Sequence, residues 1–408
     1  MKGFWIAWTL SVAVLGGVVR AESCRTSEWK EAEGAIHGSV PELMVCSDGR
    51  PVDSVAVWEK VRRGELLDLF RRECFGYNPV ERPADLRFVP DGPDTVMPDG
   101  KMVRRKARIR FSGPGGAASA RVLAFLPREA KRPLPTFLMV INASGERNKW
   151  ADETRQVKHP AWPVETITGR GYAAVCYFVQ DFDPDFGDGF TNGVHAVFQP
   201  DAAKRKDSDW AGLAAWAWGA SRVMDWIETQ PELDKAKVAV IGWSRGGKTA
   251  LWAGANDTRF AYVISNDSGC GGAKLNRMKL ARSEHISQIC KNIGYWFCTN
   301  YHRYMDREEE LPFDQHELIA LTAPRLVYVG SSSDDHWAGP PAEFEAAKRA
   351  SPVWRLYGKK GLEGKSFPSK PFTAYHDGDV GYHLNKGPHQ LNDYDWRNYL
   401  DFAAAHGW

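Results

Sequence analysis

The sequence predicts an α/β chain, a three-layer αβα sandwich around a mostly parallel central sheet. Three observations predict it. Short, continuously apolar runs recur: TFLMVIN from Thr136, YAAVCYF from Tyr172, KVAVIG from Lys237, YVISN from Tyr262 and LVYVG from Leu326. Helix-patterned segments separate several of these runs. The KVAVIG run also ends in a glycine-rich bend that leads straight into an alanine-rich segment. Strands apolar on both faces are what a parallel sheet needs when helices cover each side.

The elements follow in order. MKGFWIAWTLSVAVLGGVVRAES has a charge at Lys2, an apolar core, and Val19-Arg20-Ala21. This is the layout of an export signal covering residues 1–21, cleaved after Ala21. Its apolar core is short for a membrane span. VAVWEKVRRGELLDLFRREC, from Val55, has helical periodicity despite Gly64. KARIRFSG and ARVLAFLP, joined by PGGAAS, form a predicted hairpin. DWAGLAAWAWGASRVMDWIET is a long helix. DYDWRNYLDFAAAH, with an acidic start, is the closing one. Residues 22–408 are thus expected to form one domain, with an N-terminal extension over about 22–85.

Composition narrows the function. Hydrophobic residues are 43%, charged residues 25%, and there are 17 tryptophans. Net charge is +2, from 53 basic and 51 acidic residues spread along the chain. No basic stripe points to nucleic acid. Seven cysteines (Cys24, Cys46, Cys74, Cys176, Cys270, Cys290, Cys298) leave at least one thiol unpaired or intermolecular, and there is no CxxC. No HExxH suggests a zinc hydrolase, and no GxGxxG opens a helix. DFDPDFGDG, from Asp181, lacks the glycine and final glutamate of a calcium loop. Neither a metal nor a cofactor is expected.

In an open parallel sheet, ligands bind beyond the C-terminal strand ends. Gly242-Trp243-Ser244-Arg245-Gly246 lies at one such end and matches G-x-S-x-G. A strand before it and a helix after it fit the nucleophile elbow of an α/β-hydrolase, in which the serine hydroxyl projects above the sheet. The competing reading is that Ser244 only caps the helix. A nucleophilic serine needs a base, oriented in turn by an acid, in the chain order serine, acid, histidine. GYHLNKGPHQLNDYDW offers His389, just before the closing helix, and His383, on an apolar-flanked run suited to packing or to binding backbone. His389 is preferred. The acid candidates are Asp267 after YVISN, and Asp334 and Asp335 after LVYVG; residue types alone do not choose among them.

GWSRGGKTALWAG, SNDSGCGG, YWFCTN, LPFDQHELIALTAPR, SSSDDHWAGP and GYHLNKGPHQ together resemble the glucuronoyl esterases, especially their bacterial branch. The resemblance runs from about Val52 to the end. It implies an α/β-hydrolase fold and a 4-O-methyl-glucuronoyl methylesterase type of activity. The substrates would be esters of (4-O-methyl-)glucuronic acid, such as those joining glucuronoxylan to lignin alcohols in lignocellulose. It further implies Ser244 as nucleophile, His389 as base and Arg245 as oxyanion stabiliser. Lys248, Trp337 and Glu284 are implied to bind the sugar. For the acid the family points to Asp267 or Asp335, and Asp335 is favoured. Fungal members bridge a cysteine before the nucleophile to one after the histidine; here those positions are Trp243 and Gln390. A monomer that is secreted or periplasmic, with no nucleic-acid partner and no membrane attachment after cleavage, is expected. The rival readings are an acetyl xylan esterase of the same fold and a non-catalytic glucuronoxylan-binding protein.

Overall fold

The computed structural model describes residues 36–130, 133–142 and 150–408. The expected export segment and Cys24 lie outside the described residues.

Eleven strands form one sheet: β1 (Arg87–Pro90), β2 (Thr95–Val96), β3 (Met102–Gly113), β4 (Gly116–Pro127), β5 (Leu134–Ile141), β6 (Ala173–Phe178), β7 (Leu233–Trp243), β8 (Phe260–Asn266), β9 (Leu326–Ser332), β10 (Thr373–Tyr375) and β11 (Val380–Asn385). Their order is β1-β3-β4-β6-β5-β7-β8-β9-β11-β10, with β2 paired to β3. The five pairings from β6 across to β11 are all parallel, and the antiparallel ones lie at the two edges. The predicted hairpin is β3–β4, each strand starting earlier than its apolar pattern indicated.

Alternate residues of the central strands feed two separate cores. Leu138, Val140, Val238 and Val240 point to one layer, with Trp216, Val223 and Leu251 of helices α1 (Gly212–Ile227) and α2 (Arg245–Asn256). Phe137, Met139, Ala239 and Ile241 point to the other, with Trp396, Tyr399 and Phe402 of the closing helix. A helix from Pro340 to Ala350, α3, follows β9, and the closing helix, α4, runs from Asp393 to Ala405. Seven tryptophans are fully buried, which explains the high aromatic content as layer filling. The predicted N-terminal helix is helical from 55 to 75 but alternates α- and π-helical turns.

Two expectations need correction. GYHLN, assigned no strand from its pattern, is β11, and it pairs in parallel with β9. The helix expected of the alanine-rich segment starts earlier, at Arg245, and so takes in the glycines of the bend. Glycines at its first turn lower the helical pattern without preventing the helix, because packing against α1 and β8 overrides propensity. All six cysteines among the described residues are free and buried.

Candidate active site

β7 carries the chain into the bend at its C-terminal end. Ser244 has φ 58° and ψ −128°, a conformation that a residue with a side chain adopts only when its surroundings impose it. The bend is imposed by Gly242: a Cβ there would lie 1.9 Å from the Gly246 carbonyl oxygen. Gly247 is nearly as constrained, since a Cβ there would stand 3.0 Å from both Ser265 Oγ and Ser268 Cβ. Gly246 would meet only ordinary contacts. The Ser244 N–H donates to the Asn266 carbonyl (2.9 Å), tying the bend to β8. Its side chain makes no capping hydrogen bond, so the helix-cap reading fails. The bend stands at the N-terminus of α2, where free N–H groups and the helix dipole favour negative charge.

His389 lies in the loop between β11 and α4. Its Nδ1 and Asp335 Oδ2 are 2.5 Å apart. Asp335 is almost fully buried, whereas the imidazole is 38% exposed. The ring of Trp243, the residue before Ser244, is 4.9 Å from the imidazole centre, so the bend and the histidine share one end of the sheet. Asp335 also accepts from the Ala338 N–H (3.1 Å). Asp334 is exposed; its carboxylate accepts from the Ser333 hydroxyl and its N–H donates to the Gly387 carbonyl.

Asp267 is close but occupied differently. It accepts from the Ser332 N–H (2.7 Å), the Ser332 hydroxyl (2.8 Å) and the Gln390 N–H (3.2 Å). Burial, with the charges of Asp335 and Glu343 nearby, pushes its carboxyl well above the ordinary range. One ligand atom each from Asp267, Asp335 and His389 falls within 4.8 Å of the others, a spacing a cation would accept. The lone pairs of Asp267 and Asp335 already meet N–H and O–H donors and the His389 ring. Where fungal members are expected to carry bridged cysteines, Trp243 packs on the imidazole and the Gln390 N–H donates to Asp267.

Arg245 follows the serine. Its Nε pairs with Asp185 Oδ2 (2.7 Å), and its Nη2 donates to the Asn142 carbonyl (3.3 Å). Asp185 is in turn held by the Tyr295 hydroxyl (3.1 Å) and the Trp296 indole N–H (2.8 Å). The guanidinium sits 5.4 Å from the Trp296 ring centre. Sequence reasoning misses these positioning residues, although Tyr295 and Trp296 open the YWFCTN motif and Asp185 lies in the acidic DFDPDFGDG loop. The other acids of that loop have other partners: Asp181 binds Arg121, Asp183 faces His195, and Asp188 caps its own turn. Asn142, also missed, donates to the Trp243 carbonyl (3.0 Å) and braces the bend from the end of β5.

Lys248 lies one helical turn beyond Ser244. Its ammonium donates to the Ser268 carbonyl and to Glu284 Oε2 (3.2 Å). Glu284 Oε1 accepts from the Trp337 indole (3.0 Å), and the Glu284 N–H donates to the Trp337 carbonyl (2.8 Å). Trp337 is 46% exposed, unusual for so large a ring. Thus Lys248, Glu284 and Trp337 form one connected polar and aromatic cluster. His383 is instead fully buried and bonds Asp395, a carboxylate rather than backbone.

Comparison with known proteins accords with this arrangement. Residues 204–358 match the family model "Glucuronyl esterase, fungi". The chain is similar to carbohydrate esterase MZ0003 of an unknown prokaryotic organism, 36% identical over 394 residues, covering 90% of this chain and 89% of that protein. It is 26% identical to a 4-O-methyl-glucuronoyl methylesterase of Schizophyllum commune, covering 86% and 81%. The solved glucuronoyl esterase of Solibacter usitatus superposes with a TM-score of 0.83 at 34% identity, covering 92% of this chain and all of that one. The sheet order, the bend and these likenesses give an α/β-hydrolase fold, and the chain belongs to the glucuronoyl esterase family of carboxylic ester hydrolases.

Proposed function

We propose that this enzyme hydrolyses esters of glucuronic and 4-O-methyl-glucuronic acid through an acyl-enzyme on Ser244. The observation that carries this reading is the 2.5 Å contact between His389 Nδ1 and Asp335, beside the strained serine bend. With Nδ1 engaged, Nε2 is left to take the Ser244 proton. Ser244 Oγ then attacks the ester carbonyl carbon. The first N–H groups of α2 and the Arg245 guanidinium, fixed by Asp185, stabilise the oxyanion. His389 returns the proton to the leaving alcohol. Water, deprotonated by the same nitrogen, attacks the acyl carbon, and Ser244 leaves with the proton.

The Lys248–Glu284–Trp337 patch supports recognition of a sugar acid: an ammonium and a carboxylate for hydroxyls, and a half-exposed indole for the ring face. The relatives' names support a glucuronate ester over an acetyl ester. Export, action on lignin–glucuronoxylan esters and a monomeric state belong to the same proposal. No helix among the described residues is long and apolar enough to cross a membrane.

The test is Ser244→Ala assayed on benzyl glucuronate and on acetylated xylan. The native protein should prefer the glucuronate ester. The variant should lose at least ~10⁴-fold in kcat while keeping its unfolding midpoint. Turnover retained by Ser244→Ala rejects the nucleophile; preference for acetylated xylan rejects the substrate.

A further inference from the structure

A cavity of about 340 Å³ opens between the N-terminal helical run, the segment that follows it, α1 and the far end of α2. Arg71, Asn78, Trp218, Arg222, Trp252 and Asn256 line it. It is distinct from the active site. α2 begins at the serine bend, and Asn256 is its last residue, so the helix puts roughly 18 Å between them.

Its guanidinium groups are not equivalent. Arg259, also on the wall, is saturated by Asp225 (2.7 Å), Glu228 (2.6 Å) and Asp257 (2.7 Å). Arg222 is only 5% exposed; its Nε lies 2.8 Å from Asp225 Oδ2, but among the described residues neither Nε nor the buried Nη1 has a hydrogen-bond partner. A guanidinium N–H away from water and without an acceptor is costly and rare. Arg71 donates to the Asn256 amide oxygen (2.9 Å) and has no ion-pair partner among the described residues. Of the wall's acids, Asp257 is bound to Arg259, and Glu81 is exposed. Two indoles complete the wall: Trp218, with Arg222 5.0 Å from its ring centre, and Trp252, stacked on Phe75.

We propose that this cavity is a second, non-catalytic binding site for a carboxylate-bearing monosaccharide. A carboxylate is the planar acceptor that guanidinium forks match. The Asn78 amide supplies partners for hydroxyls, and the Trp218 and Trp252 rings give a pyranose an apolar wall. A neutral sugar would leave Arg222 unmet, and a small inorganic anion would leave the indoles unused. The volume is at the low end of ordinary ligand sites, so it takes one ring rather than a stretch of polymer. The choice of a uronate as the probe rests on the function proposed above.

Calorimetric titration with sodium D-glucuronate, D-xylose and sodium sulfate tests it, alongside benzyl glucuronate hydrolysis. The native enzyme should bind glucuronate at two sites. Arg71→Gln and the cavity-filling Ser221→Phe should each weaken one site at least tenfold and leave ester hydrolysis within twofold. Xylose and sulfate should bind that site at least tenfold more weakly than glucuronate. A single site untouched by both variants overturns the proposal, as does sulfate binding as tightly as glucuronate. Arg71-dependent glucuronate binding in a protein that fails to hydrolyse benzyl glucuronate would uphold the cavity site and reject the function instead.

Discussion

Two histidines on one short stretch of chain each pair with an aspartate, and the pairs differ in almost everything except composition. His389–Asp335 has a ring exposed on one side, bonded through Nδ1 alone among the described contacts, next to a strained serine. His383–Asp395 is fully buried. Both of its ring nitrogens are engaged, Nε2 with Asp395 Oδ1 (2.8 Å) and Nδ1 with the Tyr328 hydroxyl (3.3 Å). Asp395 also accepts from Asn385 and from the Asn392 N–H, so it anchors α4 to β11. The pair itself is therefore no signature of catalysis. What sets His389 apart is a nitrogen without a partner among the described residues, at the C-terminal end of the sheet.

Removing each histidine gives the largest contrast. His389→Ala should lower kcat/KM on benzyl glucuronate by at least ~10⁴-fold with little change in the urea midpoint. His383→Phe leaves a buried carboxylate without its ring partner and should destabilise by about 3 kcal/mol. The surviving folded enzyme should stay within about tenfold of native activity. A well-folded His383→Phe protein as inactive as His389→Ala would erase the distinction.

The acids sharpen the same comparison. Asp335→Asn should cost roughly 10³-fold in kcat, because it loses the partner that fixes the imidazole. Asp267→Asn should cost only about tenfold, since Asp267 holds the Gln390 backbone and Ser332 rather than the ring. Equal losses would mean that the two carboxylates share the task.

How much of this is legible in the sequence follows from range. β5 to β9 are readable because their apolar runs are continuous and local. The serine bend is readable because Gly242 is dictated by a clash four residues away. β11 is hidden: GYHLN carries a histidine and an asparagine whose polarity is met by Tyr328 of β9 and by Asn392 and Asp395 at the start of α4. Asp185 is hidden for the same reason, since its partners Arg245, Tyr295 and Trp296 are far along the chain. The choice between Asp267 and Asp335 depends on where two strand ends point, which spacing does not encode.

A smaller effect separates charge from its support. Arg245→Met should lower kcat by roughly 10²–10³-fold, the usual loss when an oxyanion donor is removed. Asp185→Asn keeps a hydrogen-bond acceptor but removes the countercharge, so about tenfold is expected, mostly in kcat rather than KM. An Asp185→Asn loss as large as that of Arg245→Met would mean that Asp185 does more than hold the guanidinium.

The smallest effect concerns stability beneath the active pair. Glu343, on α3, is fully buried and accepts from the Ser268 and Gly269 N–H groups (2.8 and 2.9 Å) and from the Ser331 hydroxyl (2.7 Å). Burial first, with Asp335 nearby, pushes its carboxyl up to about 7, from an ordinary 4.5. A carboxyl raised on folding binds its proton more tightly in the native state, so its contribution is full below pH 4.5 and is lost as pH rises through 7. Asp267 is shifted in the same direction, so the native protein should lose stability steadily across that window. Glu343→Gln keeps the shape and cannot ionise. Its urea midpoint should fall less between about pH 4.5 and 7.5 than the native midpoint does, with the slope due to Asp267 remaining. Parallel pH profiles for the two proteins would show that Glu343 stays ionised in the fold, and that its three donors outweigh its burial.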